Sequence, residues 1–189
     1  MATQLQTEQG IVRVPTGTWE IDPAHSSIEF HVKHMMIATV RGRFKEFEGT
    51  IEAAPDINDS RVYGVVKAAS IDTNEPTRDA HLRSPDFLDV ERSPEIRFES
   101  KRIEPLGGPA FRIVGDLTIK DITREVEFHA TVEGAERDPW GNERVGIRVR
   151  GAIDRTDFDL HWQQVLETGG FLVGEEVKIV VDISAVRKT

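Results

Sequence analysis

The sequence predicts an all-β protein: an extended eight-stranded antiparallel barrel with one short helical insert acting as a lid. Apolar and charged residues alternate with a two-residue period along most of the chain, as they do when one face of a strand is buried and the other wet. Turn signals at Gly107-Gly108-Pro109 and Asp138-Pro139-Trp140-Gly141-Asn142 separate neighbouring runs and favour antiparallel pairing. One stretch, residues 70–95 (S-I-D-T-N-E-P-T-R-D-A-H-L-R-S-P-D-F-L-D-V-E-R-S-P-E), breaks the series. It mixes Arg78, Asp79 and His81 with Leu82, Phe87 and Leu88, a composition that can cover an oily interior and offer charge at its rim.

Residues 1–17 hold no apolar run of signal-peptide type and are expected to form a flexible tail ahead of a barrel domain over 18–189. Trp19 and Ile21 suit a short strand, after which Ile28, Phe30 and Val32 alternate with Glu29, His31 and Lys33. In residues 40–51, Phe44 and Phe47 break the parity, which predicts a bulge or bend near Lys45 and Glu46. Residues 61–71 and 94–103 flank the insert, whose helix is expected to begin near Asn74 or Glu75. Phe111, Ile113, Gly115, Leu117 and Ile119 oppose Arg112, Asp116 and Lys120, and Val126, Phe128, Ala130 and Val132 oppose Glu125, Glu127 and His129. Val145, Ile147, Val149 and Ile153 oppose Arg144, Arg148 and Arg150, and Val177, Ile179, Val181 and Ile183 form the last alternating set.

Composition narrows the function. Acidic residues outnumber basic ones by 33 to 24, and a net charge of −9 opposes adsorption to nucleic acid and to anionic lipid surfaces. No cysteine is present, which excludes disulfides, thiolate metal sites and cysteine nucleophiles. No stretch approaches the ~20 apolar residues of a spanning helix, so no integral membrane insertion is expected. A membrane barrel would turn its apolar face outward between aromatic girdles. The densely charged second face here suits a solvent coat, and the chain reads as a cytoplasmic protein.

An eight-stranded barrel can be filled by its own side chains or keep room for one small ligand. Gly64, Ala68, Gly115, Ala130 and Gly151 fall on faces otherwise occupied by large apolar residues, where they either open a tunnel or relieve crowding at bends.

Several ordered motifs carry a resemblance: W-E-I-D-P-A-H-S at 19–26, V-R-G-R-F-K-E-F-E-G at 40–49, S-I-D-T at 70–73 and R-D-A-H-L-R-S-P-D-F at 78–87. G-D-L-T-I at 115–119, D-P-W-G at 138–141 and R-T-D-F at 155–158 complete the set. From about Trp19 to Val186 the chain resembles the YceI-like, polyisoprenoid-binding family of lipocalin-like barrels. The resemblance implies a barrel enclosing a long-chain isoprenoid lipid or an isoprenoid-quinone-like tail, for binding, transport or storage, with no reaction and no cofactor. Two departures stand out: many relatives carry a secretory signal, and Asp159 stands where they often have glycine, which leaves the backbone there open.

Common apolar parity assigns the tunnel wall to Phe30, Val32, Phe44 and Val66, with Phe98, Ile113, Leu117, Phe128, Ile147 and Ile179. Ala68 and Gly115 are added as small wall positions. Arg78, Asp79 and His81 are the expected rim or head-group residues, Arg78 and His81 sharing a helix face three positions apart. A flexible tail of roughly 25 carbons has a nominal transfer term of ~20 kcal/mol, so it needs no extensive polar network to bind. Oligomeric state is left open, a homodimer being one alternative.

Enzyme and metal signals are weak. His25, His31 and His34 suggest a metal set, but residues three apart on a strand face opposite sides, and His25 and His31 would lie roughly 20 Å apart on one strand. His34 is instead expected to be a buried polar residue near a barrel end. No nucleophile elbow, H-E-x-x-H motif, phosphate loop or dinucleotide fingerprint is present. An enzyme acting on a lipophilic molecule in the same cavity, and a stress-associated interaction module, are the alternatives to a carrier.

Overall fold

The computed structural model describes residues 4–189, so residues 1–3 of the expected tail lie outside it. The rest of that segment is ordered into a hairpin of β1 (Gln6–Glu8) and β2 (Ile11–Arg13), a correction to the expectation of a tail. Gln9 and Gly10 both take positive φ, as a two-residue hairpin turn requires. The hairpin is tied to the barrel through Val12 N to Gly108 O (2.9 Å) and Gly108 N to Gly10 O (2.9 Å).

The wall is a closed antiparallel meander of eight strands, three of them bent into two pieces. The first runs as β3 (Gly17–Ile21) and β4 (Ser27–His34), with a 3-10 turn at Pro23–His25 capped by Asp22. The second is β5 (Ala38–Phe44) and β6 (Phe47–Ala53), bent at Lys45 and Glu46, where the parity break predicts it. The third is β7 (Arg61–Lys67), a 3-10 turn at Ala68–Ser70, and β8 (Ile71–Asp72). The second and third bends are stitched together by Lys67 N to Glu46 O (2.9 Å), Lys45 N to Ser70 O (3.2 Å) and Glu46 N to Ser70 Oγ (3.1 Å).

Five unbroken strands complete the wall: β9 (Glu95–Gly107), β10 (Ala110–Ile119), β11 (Ile122–Arg137), β12 (Glu143–Asp154) and β13 (Val173–Arg187). Closure falls to β13. One edge pairs with β12 from Arg144↔Val186 to Asp154↔Glu176, and the other with β4 through Val177↔Val32 and with β3 through Ala185↔Ile21. Both halves of the bent first strand are thereby held in one register, which fixes their apolar face inward.

The outer face carries cross-strand ion pairs such as Lys101–Asp116 (3.2 Å), Arg112–Glu104 (3.0 Å) and Arg148–Asp182 (3.2 Å). Exposed pairs add little stability; their value here is to mark the wet side. Inside, one apolar cluster gathers about Trp19, Ile51, Phe111 and Ile147, and a second about Ile71, Phe87, Leu117 and Phe158, with Phe98 packed on both. Among the described residues no helix is long and apolar enough to cross a membrane.

The lid is α1 (Pro76–Arg83), capped by the Glu75 side chain on Arg78 N with proline in its first turn. Ser84 Oγ donates to His81 O (2.6 Å) at its end.

At the opposite end, the motifs around Asp22 and Asp138 meet through Arg144, which donates to Asp22 Oδ2 and to Asp138 Oδ2, both at 2.8 Å. The Arg144 guanidinium, then His25, holds Asp22 at about 2. Burial raises Asp138, but Arg144, Asn142 and the Trp140 N–H outweigh it and hold that carboxyl at about 2 as well. Between the usual 3.8 and about 2 the folded chain therefore binds fewer protons than the unfolded chain. The cluster's stabilisation is fully present above the unfolded value and is lost as pH falls through the folded one. Arg144→Ala is expected to lower stability at pH 7 by about 2 kcal/mol. In urea titrations the gap to wild type should close as pH drops from about 4 to about 2; a gap constant to pH 2 would contradict the assignment.

Candidate functional site

The inward faces of the strands enclose one cavity of about 520 Å³ that runs between the two ends of the barrel. Its size lies within the few hundred to ~1,000 Å³ of small-molecule sites. The wall is apolar from end to end: Val14, Ile51 and Val62 near the β1–β2 hairpin, Phe98, Ile113 and Ile179 at mid-barrel, and Phe44, Leu82 and Trp162 under the lid.

Three large rings are held against the wall by three glycines. A Cβ on Gly42 would lie 2.2 Å from the Phe30 ring, one on Gly115 2.7 Å from the Phe98 ring, and one on Gly151 2.4 Å from the Phe128 ring. Phe30 faces Gly42 directly across β4 and β5. Each ring lies over the bare backbone of a neighbouring strand rather than across the barrel, a ring-over-glycine arrangement that also pins strand register. Phe30 pairs further with Phe44 (centroids 5.6 Å apart), and Phe98 with Phe128 edge-on (5.4 Å).

A buried arginine ties down each end. Arg13, 7% exposed, donates to Ala54 O and to Pro55 O (3.1 Å), and with Val14 it forms the wall at the hairpin end. Arg155, 4% exposed, donates to Gly174 O (2.8 Å), Leu160 O (2.5 Å), Trp162 O (3.0 Å) and Val173 O (3.4 Å). Burial pulls the Arg155 guanidinium below its usual value, against the opposing effects of Glu175 and Asp154. Carbonyl ligation in place of water is what makes such a buried cation tolerable. It also fastens the 159–172 loop over the lid end. Asp159 begins that loop with φ 60, a left-handed conformation that glycine adopts freely.

At the lid end, Arg78 Nε donates to Thr73 Oγ1 (2.7 Å) and Nη2 to Thr73 O (2.8 Å). Asp79 Oδ1 accepts from Thr73 N (2.9 Å) and Thr73 Oγ1 (2.5 Å). His81 Nε2 lies 2.9 Å from Asp86 Oδ2, with its ring edge-on to Phe87 (5.0 Å) and Trp162 (4.9 Å).

The structure places ten of the twelve sequence-assigned wall residues on the cavity: Phe30, Val32, Phe44, Val66 and Phe98, and Ile113, Leu117, Phe128, Ile147 and Ile179. Ala68 and Gly115 are not among them. Ala68 is buried in the stitched bend, its N–H bonded to Pro94 O (2.9 Å), and the space over Gly115 is filled by Phe98. Gly64 and Ala130 do line the cavity, whereas Gly151 seats Phe128. Of the rim set, Arg78 and His81 reach the wall, while Asp79 is set apart as the anchor of the lid. His34 is exposed beside the β4–β5 turn rather than buried. Sequence reasoning missed Arg13, assigned to a tail, and Trp162, in a loop without alternation. Arg155 was visible only as part of the R-T-D-F motif.

A YceI-like domain model matches residues 19–185. The chain belongs to the YceI-like family. Its curated relatives include the UPF0312 protein SA2479 of Staphylococcus aureus, 38% identical over 161 residues, covering 83% of this chain and 90% of that protein. Among solved structures, Burkholderia cenocepacia BcnA superposes with a TM-score of 0.76 at 23% identity, covering 87% of this chain and 98% of its own. A polyisoprenoid binding domain from Saccharophagus degradans, implicated in plant cell wall breakdown, superposes at 0.66 with 11% identity, covering 90% and 98%. At these identities the two structures show the shared barrel fold of this YceI-like protein.

The ring-over-glycine arrangement is open to test. A Cβ at Gly115 would also lie 2.4 Å from Glu99 O and 2.8 Å from Ser100 Cα, whereas one at Gly134 meets nothing within 4 Å. Gly115→Ala is expected to cost about 1–3 kcal/mol in urea unfolding, and Gly134→Ala should show no such steric cost. Equal stability of both variants would mean that neither the Phe98 ring nor the backbone of β9 is packed against Gly115 as described.

Proposed function

We propose that this YceI-like protein is a carrier that holds a long-chain polyisoprenoid, or an isoprenoid-quinone-like tail, inside its barrel for transport or storage. The observation that carries this reading is the cavity of about 520 Å³, apolar along its length and continuous between the two barrel ends. Such a void suits a flexible oily chain, whose binding rests on apolar burial at ~0.8 kcal/mol per methylene rather than on directed polar contacts. The polyisoprenoid-binding neighbour from Saccharophagus degradans supports the same ligand class.

Binding rather than catalysis is favoured by how the polar wall residues are occupied. Arg13 and Arg155 serve backbone carbonyls, Arg78 serves Thr73, and His81 faces Asp86. The wall carboxylates Glu29 and Glu48 belong to residues on the solvent-facing parity of β4 and β6. On this reading a polar head lies at the lid end beside Arg78, His81 and Trp162, which line the cavity there, and the tail runs toward Val14.

Native mass spectrometry followed by organic extraction tests the reading. The purified protein should carry one prenyl-type lipid per chain. Ile179→Trp, which places a larger ring into the void, should keep the fold and lower lipid occupancy or affinity roughly tenfold, the effect of displacing about two methylenes. A folded protein that yields no lipid and takes up no added prenyl alcohol or quinone would defeat the proposal.

A further inference from the structure

Most of the large apolar side chains that the fold leaves in water gather at one place. Met35, Met36 and Ile37 form the tip of the β4–β5 hairpin at 41%, 57% and 81% exposure, and Val165 (65%) and Phe171 (49%) stand on the 159–172 loop. The two segments touch, Met35 N donating to Leu172 O at 2.7 Å. Their roots are cavity wall, since His34, Leu172 and Val173 all line the void. The exposed lip is thus a direct extension of the oily interior.

The turn is an unfavourable way to make a hairpin. Met35 and Met36 sit at φ 53 and 60, the left-handed pair that Asn-Gly or Asp-Gly would supply with least strain. Bulky residues there are outliers. Strain retained together with solvent-exposed hydrophobicity marks a segment kept for contact with something else.

Charge says what that contact is. On a chain of net charge −9, the arm over residues 30–45 holds Lys33, Arg41, Arg43 and Lys45, two histidines, and no acidic residue. Arg43 and Lys45 face Asp72 at 3.9 and 3.2 Å, and His31 faces Glu29 at 3.9 Å. Lys33 bonds only the Thr39 hydroxyl (3.0 Å), and among the described residues neither Lys33 nor Arg41 has a carboxylate within 4.0 Å. Asp159, beside Lys120 (3.7 Å) and His161 (3.4 Å), and Glu167 are the acidic residues of the lip loop, and Glu175 and Glu176 follow on β13. An apolar tip flanked by uncompensated cations is the composition of an interfacial anchor, which binds through buried apolar area plus attraction to anionic head groups.

We propose that this lip docks the barrel onto an anionic phospholipid bilayer. Met35, Met36, Ile37, Val165 and Phe171 enter the acyl boundary, Lys33 and Arg41 lie at the phosphates, and the lid end of the cavity faces the membrane. The average charge repels such a surface, and the local arm reverses that repulsion at the one end where a lipid would enter or leave. The inference extends the carrier reading, but bilayer contact is measurable whether or not the cavity is filled.

Flotation with vesicles of phosphatidylcholine alone, or of equal parts phosphatidylcholine and phosphatidylglycerol, tests it. The wild-type protein should float with the anionic vesicles, less with the neutral ones, and less again at high salt. Met36→Ser/Ile37→Ser, two exposed positions off the cavity wall, should reduce partition roughly tenfold or more while leaving lipid content and melting temperature unchanged. Arg41→Glu should abolish the preference for anionic vesicles. Ile179→Trp should float like wild type even where it has lost its lipid, which separates failure of docking from failure of the carrier reading. Wild-type protein that stays in the soluble fraction, or a tip variant that floats undiminished, would overturn the proposal. So would a dimer by light scattering that the tip variant splits, with no vesicle partition by either.

Discussion

An eight-stranded barrel is narrow enough for its own side chains to fill, so a void persists only where the largest inward groups are kept out of the centre. Here that constraint is met by seating Phe30, Phe98 and Phe128 over Gly42, Gly115 and Gly151. Each glycine removes the one atom that would push the ring inward. The pairing registers of β4 with β5, β9 with β10 and β11 with β12 bring each ring to its glycine. The cavity is therefore a consequence of sheet geometry, with largely apolar walls because the same alternation that folds the barrel turns the charged face of its strands outward.

A hollow core forgoes dispersion contacts that a solid one would make, so the ends need their own fastening. Arg13 and Arg155 supply it in the same way, each placing a guanidinium among backbone carbonyls. One closes the hairpin end and the other holds the loop beside the lid. The lid itself rests on Thr73, which accepts from Arg78 and donates to Asp79. Charge in this molecule thus serves closure at the ends and solvation along the outside, and the long middle is left to apolar side chains.

The barrel was legible because alternation is a local signal: parity along Ile28 to Val32, or Phe111 to Ile119, assigns faces without knowledge of the partners. The bend at Lys45 and Glu46 showed as a parity break for the same reason. What parity could not report was depth. Gly115 read as an opening because its own strand shows a gap, and the ring that fills the gap comes from a neighbouring strand. Ala68 was misplaced because a 3-10 turn shifts its phase. Arg13 lay in a segment too short and polar to suggest structure, and its role depends on carbonyls about forty residues away. Arg155 and Trp162 act through a loop without periodicity, so only their contacts identify them.

Carrier function presupposes a water-poor void along the barrel. A crystal structure of the lipid-stripped protein under xenon pressure tests that claim directly, because xenon enters apolar cavities that water leaves empty. Xenon should occupy the lumen between Leu117, Ile147 and Ile179, with the Phe98 and Phe128 rings still over Gly115 and Gly151. Rings swung inward to fill the lumen, with no xenon bound, would contradict the account.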